Sequence, residues 1–408
     1  MTDRITSSKA GPLAFVMGGG GARSAYQAGV LRYLSRRFPD LEIPIITGVS
    51  AGAINAAHLA AHHGTFRQAA DELNQLWGEL TVDKVFRTDL GSLRKHLFRW
   101  SRQLLSGGKG GSLKVRGLLD TQPLREYLTE AMHAVNGELT GIHYKLATGR
   151  LKAAALSTTN YSTGQSILWV QGHDVEEWER PNRRSRVTTL SVDHVMASAA
   201  LPIVFPAVPI GGHWYGDGGI RLTAPLSPAL HLGADRILAI STRRARSRTE
   251  ADSPSVKGYP PPVQVAGVLM NAIFLDLLDE DALRLSRVNQ LVAGLDPEKR
   301  QGMRQVRLLT LRPSVDLGRL AGRFEPQLPR AIRYMTRGLG TRHTETPDFL
   351  SLIMFQPDYL GELMSVGEAD AESREAELAE LLEPGGRGAE ADGQLRTVES
   401  TSESRRAR

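Results

Sequence analysis

Three short segments carry groups that could do chemistry together. Ser50 stands in Gly48-Val49-Ser50-Ala51-Gly52, Asp217 opens Asp217-Gly218-Gly219, and the run Gly18 to Gly21 leads into Ala22 and Arg23. A serine hydroxyl is a weak nucleophile until a base takes its proton. A carboxylate can be that base, and bare glycine amides can receive the charge that develops on a carbonyl oxygen. As an ordered set they supply what acyl transfer requires; singly each is weak, and Asp-Gly-Gly alone is an ordinary turn.

The positions of the glycines make physical sense. A nucleophilic serine must stand clear of the backbone at a sharp strand-to-helix turn, and Gly48 and Gly52 remove side chains that would collide there. The apolar run Ile43 to Thr47 precedes this elbow, and an alanine-rich helix ending near Gly64 follows it. The start of that helix sets a positive dipole end beside a developing alkoxide.

The four glycines lie between an apolar strand, Leu13 to Met17, and a helix expected from about Ala25 to Phe38. Their amides lack side-chain cover and suit an oxyanion or a phosphate. A dinucleotide site would want a third glycine where Ser24 stands, and an acid ending the second strand. Asp40 and Glu42 instead precede or open that strand. No Gly-Lys-Ser/Thr follows the run, so it is not a nucleotide-binding P-loop.

His231 follows Ser50 and Asp217 in the chain order of a Ser-Asp-His hydrolase, but it sits in a run that patterns as a helix; His194 and His213 are further candidates for a triad. His58 and His62 lie four apart without the glutamate of a His-Glu-x-x-His zinc motif, so a packed pair is expected rather than a metal.

The elements that must position these groups alternate strand, tight turn and helix, the pattern of a parallel α/β sheet. A helix is expected at Phe66 to Leu80, another from Pro123 to about Val135, and strands within 144–170. Ser191 to Leu201 patterns as a helix and Ile237 to Ser241 as a strand. Residues 243–262 are expected to form a surface loop, Gly267 to Leu295 a helix and Leu308 to Arg312 a strand. The fold class expected is α/β, a central and mostly parallel sheet sandwiched by helices, with helical additions at the C-terminal end.

The expected organisation is a disordered stretch at 1–10, a catalytic domain at 11–245 and a helical extension at 246–366 packed on the core. An acidic helix and disordered tail follow at 367–408.

The 408 residues contain no cysteine, which removes disulfides, thiolate metal sites and cysteine nucleophiles. The net charge of +6, from 50 basic and 44 acidic residues, is too modest to decide a partner. No apolar span approaches the twenty or so residues that cross a bilayer, and Leu13 to Met17 is too short for a signal sequence. A cytoplasmic protein that visits a membrane face is the expectation. Its candidate contact is the basic stretch 93–105, with Phe98 and Trp100, beside a glycine-rich linker at 106–111.

The combination resembles the patatin-like phospholipase family over about residues 12–242. That family carries a glycine loop ending in a basic residue (here Gly19 to Arg23), a Gly-x-Ser-x-Gly elbow (Gly48 to Gly52) and an Asp-Gly-Gly (Asp217 to Gly219). The small-residue and proline segment Ala197 to Pro202 with Phe205-Pro206 also matches, as does Pro225-Leu226 through Asp235. The resemblance implies an α/β-hydrolase-related fold and a Ser50–Asp217 dyad with no histidine between. It also implies oxyanion donors at Gly19, Gly20 and Gly21, and an Arg23 that fixes the loop and adds positive potential. Gly218 and Gly219 support the aspartate turn. It implies hydrolysis of phospholipid or lysophospholipid, with no cofactor, metal or nucleic acid. A carboxylesterase or acyltransferase using the same dyad, a nucleotide-binding oxidoreductase and a non-catalytic membrane scaffold are the alternatives. One departure is Ser24, where the family usually has glycine.

Overall fold

The computed structural model describes residues 11–87, 117–245, 250, 252, 259–274, 277–330, 332–334 and 348–383. The expected basic stretch 93–105, the linker 106–111 and the two ends, 1–10 and 384–408, lie outside them.

Among the described residues, ten strands form one mixed sheet: β1 (Leu13–Met17), β2 (Ile45–Val49), β3 (Ala153–Asn160), β4 (Ser166–Gly172), β5 (Glu179–Arg180), β6 (Arg183–Val187), β7 (Val208–Ile210), β8 (His213–Asp217), β9 (Arg236–Ile240) and β10 (Arg307–Leu311). The order is β10-β9-β1-β2-β3-β4-β6-β5, and its first five strands run parallel. β1, β2 and β9 are buried along their whole length, as strands covered on both faces must be, which is why they are continuous apolar runs. Leu13, Phe15, Met17 and Ile46 pack into one core and Ala14, Val16 and Ile45 into another on the opposite face.

Three helices cover the first face near the site: α1 (Ala25–Arg37), α2 (Ala51–Ala61) and α3 (Phe66–Gly78). Thr65 caps α3, accepting from the Gln68 N–H while the Gln68 side chain takes the Thr65 N–H, a reciprocal arrangement that satisfies two otherwise orphaned donors. Helix Pro357–Ser373 packs along α1, and its course runs through residue 367, where the composition turns acidic. Leu226, Ala229, Leu278 and Leu285 fill the second face.

Three expected elements are shifted. β2 begins at Ile45, because Pro44 has no N–H to give to a ladder, and it runs without a break into Ser50. Thr140–Ala147, placed partly within a strand region, is a helix that buries Ile142 and Leu146 on one side. The single helix expected at 267–295 is two, Pro262–Phe274 and Leu277–Ala293.

The edge of β3 is what assembles the site. β2 runs parallel to β3 as far as Val49, opposite Ser157. From the next position, Thr158, the same edge is taken by β8, antiparallel, beginning with Asp217. The C-terminal ends of β2 and β8 therefore meet head to head.

Candidate active site

Ser50 is the turn between β2 and α2. Its φ of 56° and ψ of −137° place a non-glycine residue in a sparsely populated region, a strain of about 1–3 kcal/mol that the surroundings must enforce. They do so through hydrogen bonds. The Ser50 N–H donates to Ser198 Oγ at 3.0 Å, and Ser198 Oγ donates in turn to the Ser157 carbonyl at 2.7 Å. The Ser50 carbonyl accepts from Ala53 N at 2.9 Å. Gly52 is needed for close approach: a Cβ there would lie 2.3 Å from the Gly18 carbonyl oxygen.

Asp217 closes β8 and is wholly buried. Its backbone is pinned, N–H to the Ala200 carbonyl at 3.1 Å and C=O to Thr159 Oγ1 at 2.8 Å. Oδ1 accepts the Gly219 N–H at 2.9 Å, while Oδ2 is buried and closes no hydrogen bond. Burial pushes this carboxyl up to about 7. The Ser50 hydroxyl and the Gly219 amide draw it down by less, and no cation contributes. A desolvated carboxylate without a counter-ion, next to a serine hydroxyl, is a base matched to neutral pH.

The glycine loop is held by its carbonyls. Gln27 Nε2 donates to the Gly18 carbonyl at 2.8 Å, Thr242 Oγ1 to that of Gly19 at 2.6 Å, and Arg23 N to that of Gly20 at 3.1 Å. In a trans peptide the N–H points opposite to the preceding C=O. Fixing these three carbonyls therefore turns the amides of Gly19, Gly20 and Gly21 the other way, and they donate to no group among the described residues. A Cβ on Gly19 would lie 3.6 Å from Ser50 Oγ, so the loop passes directly beside the nucleophile. Behind it, Trp77 Nε1 donates to Asn55 Oδ1 at 2.7 Å, and Asn55 Nδ2 donates to Gln27 Oε1 at 2.9 Å and to the Ser24 carbonyl at 3.0 Å. Ser24 adopts an ordinary right-handed backbone with φ −69°, so this position does not require glycine.

Arg23 anchors the loop, but its expected contribution of positive potential needs correction. The side chain is buried and points into the C-terminal helix Asp348–Ile353. It donates through Nε to Ser351 Oγ at 2.6 Å and through its guanidinium to Asp348 Oδ1 at 2.7 Å, so its charge is balanced. The sequence does not single out Asp348, Ser351, Gln27, Asn55 and Thr242, and marks Ser198 only as part of the segment Ala197 to Pro202. The available signals were a lone asparagine in the alanine-rich α2 and a glutamine on the buried side of α1.

The candidate histidines of a triad are elsewhere. His194 Nδ1 caps its own helix at Ser191, His231 stacks on Trp178 with ring centroids 4.8 Å apart, and His213 is exposed. None bonds to Ser50 or Asp217. His58 is buried with a ring nitrogen 3.1 Å from the Ala69 carbonyl, and His62 lies 2.8 Å from Glu72. No cluster of metal-ligating side chains occurs among the described residues.

An apolar cleft opens at Ser50 between Ile54, Leu124, Leu201, Phe205 and Leu352. A second lies on the other face of the sheet, bounded by Gly19, Ser157 and Gly219 and roofed by Leu222, Ile273 and Leu277.

The family profile of patatin-like phospholipases matches residues 15–230, just over half of the chain, and the chain belongs to that family. Membership supports lipid hydrolase activity. No curated protein matches the chain. Among solved structures the chain is similar to VipD from Legionella pneumophila: 14% identity, TM-score 0.34, covering 84% of this chain and 66% of that one. It is similar also to human GIVD cytosolic phospholipase A2 in complex with methyl gamma-linolenyl fluorophosphonate and terbium chloride, with 13% identity, TM-score 0.42, and 93% and 60% covered. ExoU in complex with SpcU from Pseudomonas aeruginosa gives 18% identity, TM-score 0.26, and 91% and 79% covered. The chain spans less than two thirds of the length of the first two.

Proposed function

We propose that this chain is a serine lipid acyl hydrolase of the phospholipase A or lysophospholipase type. Ser50 is its nucleophile and Asp217 the base that takes the serine proton. The observation that carries this is the buried carboxylate of Asp217, pushed up to about 7 with one oxygen unbonded, delivered by strand register to the Ser50 elbow.

Ser50 Oγ attacks the ester carbonyl as its proton passes to Asp217. The tetrahedral oxyanion is received by the amides of Gly19, Gly20 and Gly21, already oriented and unpaired, so little reorganisation is needed when charge develops. Collapse expels the alcohol, which leaves with the proton held by Asp217. A water then gives its proton to Asp217 and attacks the acyl-serine, and the second collapse returns the proton to Ser50 and frees the fatty acid. The apolar cleft at Ser50 suits a hydrocarbon chain, since Ser50 carries the one polar side chain among the residues lining it. Among the described residues no helix is long and apolar enough to cross a membrane, and the enzyme is proposed to meet its lipid peripherally.

Fatty-acid release from phosphatidylcholine, lysophosphatidylcholine, triacylglycerol and a soluble short-chain ester tests this, using wild type, Ser50→Ala and Asp217→Asn. Both substitutions should lower turnover by roughly a thousandfold or more. Asparagine keeps an oxygen for the Gly219 N–H, so its effect isolates the base. Full activity in either variant would overturn the assignment.

A further inference from the structure

Helix Pro262–Phe274 leaves an apolar face in the open. It has thirteen residues and no charged side chain. Val265, Val268, Leu269 and Ala272 recur at i, i+3, i+4 and i+7, the spacing by which a helix gathers one apolar face. That face is normally buried, yet Val265 is 47% exposed, Val268 57% and Leu269 54%, and Ala272 is also exposed. The polar Asn271 faces inward instead, donating to Asp348 Oδ2 at 2.8 Å, and Gly267 lies against Asp348 as well. The same helix touches the turn Gly218–Ile220, and its Ile273 roofs the second cleft beside Gly219. Arg221, directly after that turn, is exposed and has no ion-pair partner among the described residues. Tyr259, just before the helix, is 95% exposed.

We propose that this helix is a lipid-docking surface, seated with Val265, Val268, Leu269 and Ala272 in the interface of a bilayer and Arg221 toward anionic headgroups. A helix that is apolar nearly all round, with one apolar face in the open and its Asn271 turned inward, is the order expected of an element whose outer solvent is lipid. Continuity with the site argues for lipid over another occupant. Asn271 holds Asp348, which holds Arg23 of the glycine loop, and Ile273 borders the cleft beside Gly219, so the exposed face belongs to an element tied directly to the site. The proposal rests on the lipid-hydrolase reading for its biological sense, but its physical content is binding.

Partition onto vesicles of phosphatidylcholine and phosphatidylglycerol is measured by co-sedimentation on the full chain carrying Ser50→Ala, so that hydrolysis plays no part. Adding Val268→Glu and Leu269→Glu should weaken partition about tenfold or more, with the thermal midpoint unchanged, whereas Val135→Glu, a charge on an exposed valine elsewhere, should leave partition as it was. Leu269→Trp should bind at least as well as its parent, and its added fluorescence should shift to the blue on mixing with vesicles. Unchanged partition in the double glutamate variant, no spectral shift in the tryptophan variant, or a dimer that the glutamates dissociate while vesicle binding persists would each overturn the proposal. Because the readout is binding by a chain that lacks Ser50, the result is independent of the catalytic assignment.

Discussion

Ser50 and Asp217, 167 positions apart (217 minus 50), stand at the facing ends of two strands that share one edge of β3. Val49 lies opposite Ser157 and Asp217 opposite Thr158, consecutive positions. Sheet register, a backbone property, therefore sets the distance between nucleophile and carboxylate. Ser198 reinforces the junction, because its single hydroxyl ties the Ser50 N–H to the Ser157 carbonyl.

The pH profile should show a carboxylate titrating far from its usual range. Asp217 works only when ionised, and burial holds it near 7. On a soluble short-chain ester, kcat/KM should rise with pH, with an apparent pKa near 7, and level off above it. An acid limb near 4 would mean a solvated carboxylate.

The same burial should tax the fold. Asp217 binds its proton more tightly folded than unfolded, so stability falls as pH rises from about 4 to about 7, and above that the fold carries a buried unpaired charge. Asp217→Asn should therefore raise stability by about 2–4 kcal/mol at pH 8, and by almost nothing near pH 3. Urea unfolding at the two pH values checks both limits.

Ser198→Ala should act as loss of a positioning residue. It leaves the Ser50 N–H and the Ser157 carbonyl, both buried, without their partner, which costs about 1–3 kcal/mol of stability. Turnover should fall by about tenfold or more with KM nearly unchanged, since the substrate cleft keeps its lining. A change confined to KM would contradict this placing of Ser198.

Arg23→Ala should destabilise strongly, by about 3–5 kcal/mol, because it strands Asp348 in a mostly buried position. Removing Asp348 as well should recover part of the loss. A double-mutant cycle in urea measures the coupling, and simple additivity would mean that the pair does not hold the loop.

What could be read before any coordinates was local. Leu13 to Met17, the glycine run, the elbow and the helix after it announce themselves within about fifty residues through apolar runs, small residues and period. The pairing of Ser50 with Asp217 came through family resemblance, since nothing near either residue reveals that β8 takes over the edge of β3 where β2 stops. Asp348 is 325 positions from Arg23, and its helix carries no motif. Gln27 and Asn55 were hidden for another reason. A polar residue on a buried helical face is legible only as an anomaly, and its partner, a loop carbonyl, has no side chain to betray it. The exposed face of Pro262–Phe274 has the period of a core helix, and only the fold shows which way it points.

The central claim is that Ser50 is acylated with Asp217 as its base. An alkyl fluorophosphonate, with the adduct mapped by peptide mass spectrometry, tests it most directly. Wild type should carry one adduct on Ser50, Asp217→Asn should label at least a hundredfold more slowly, and Ser50→Ala should not label. An adduct on another residue, or labelling of Asp217→Asn at the wild-type rate, would contradict the account.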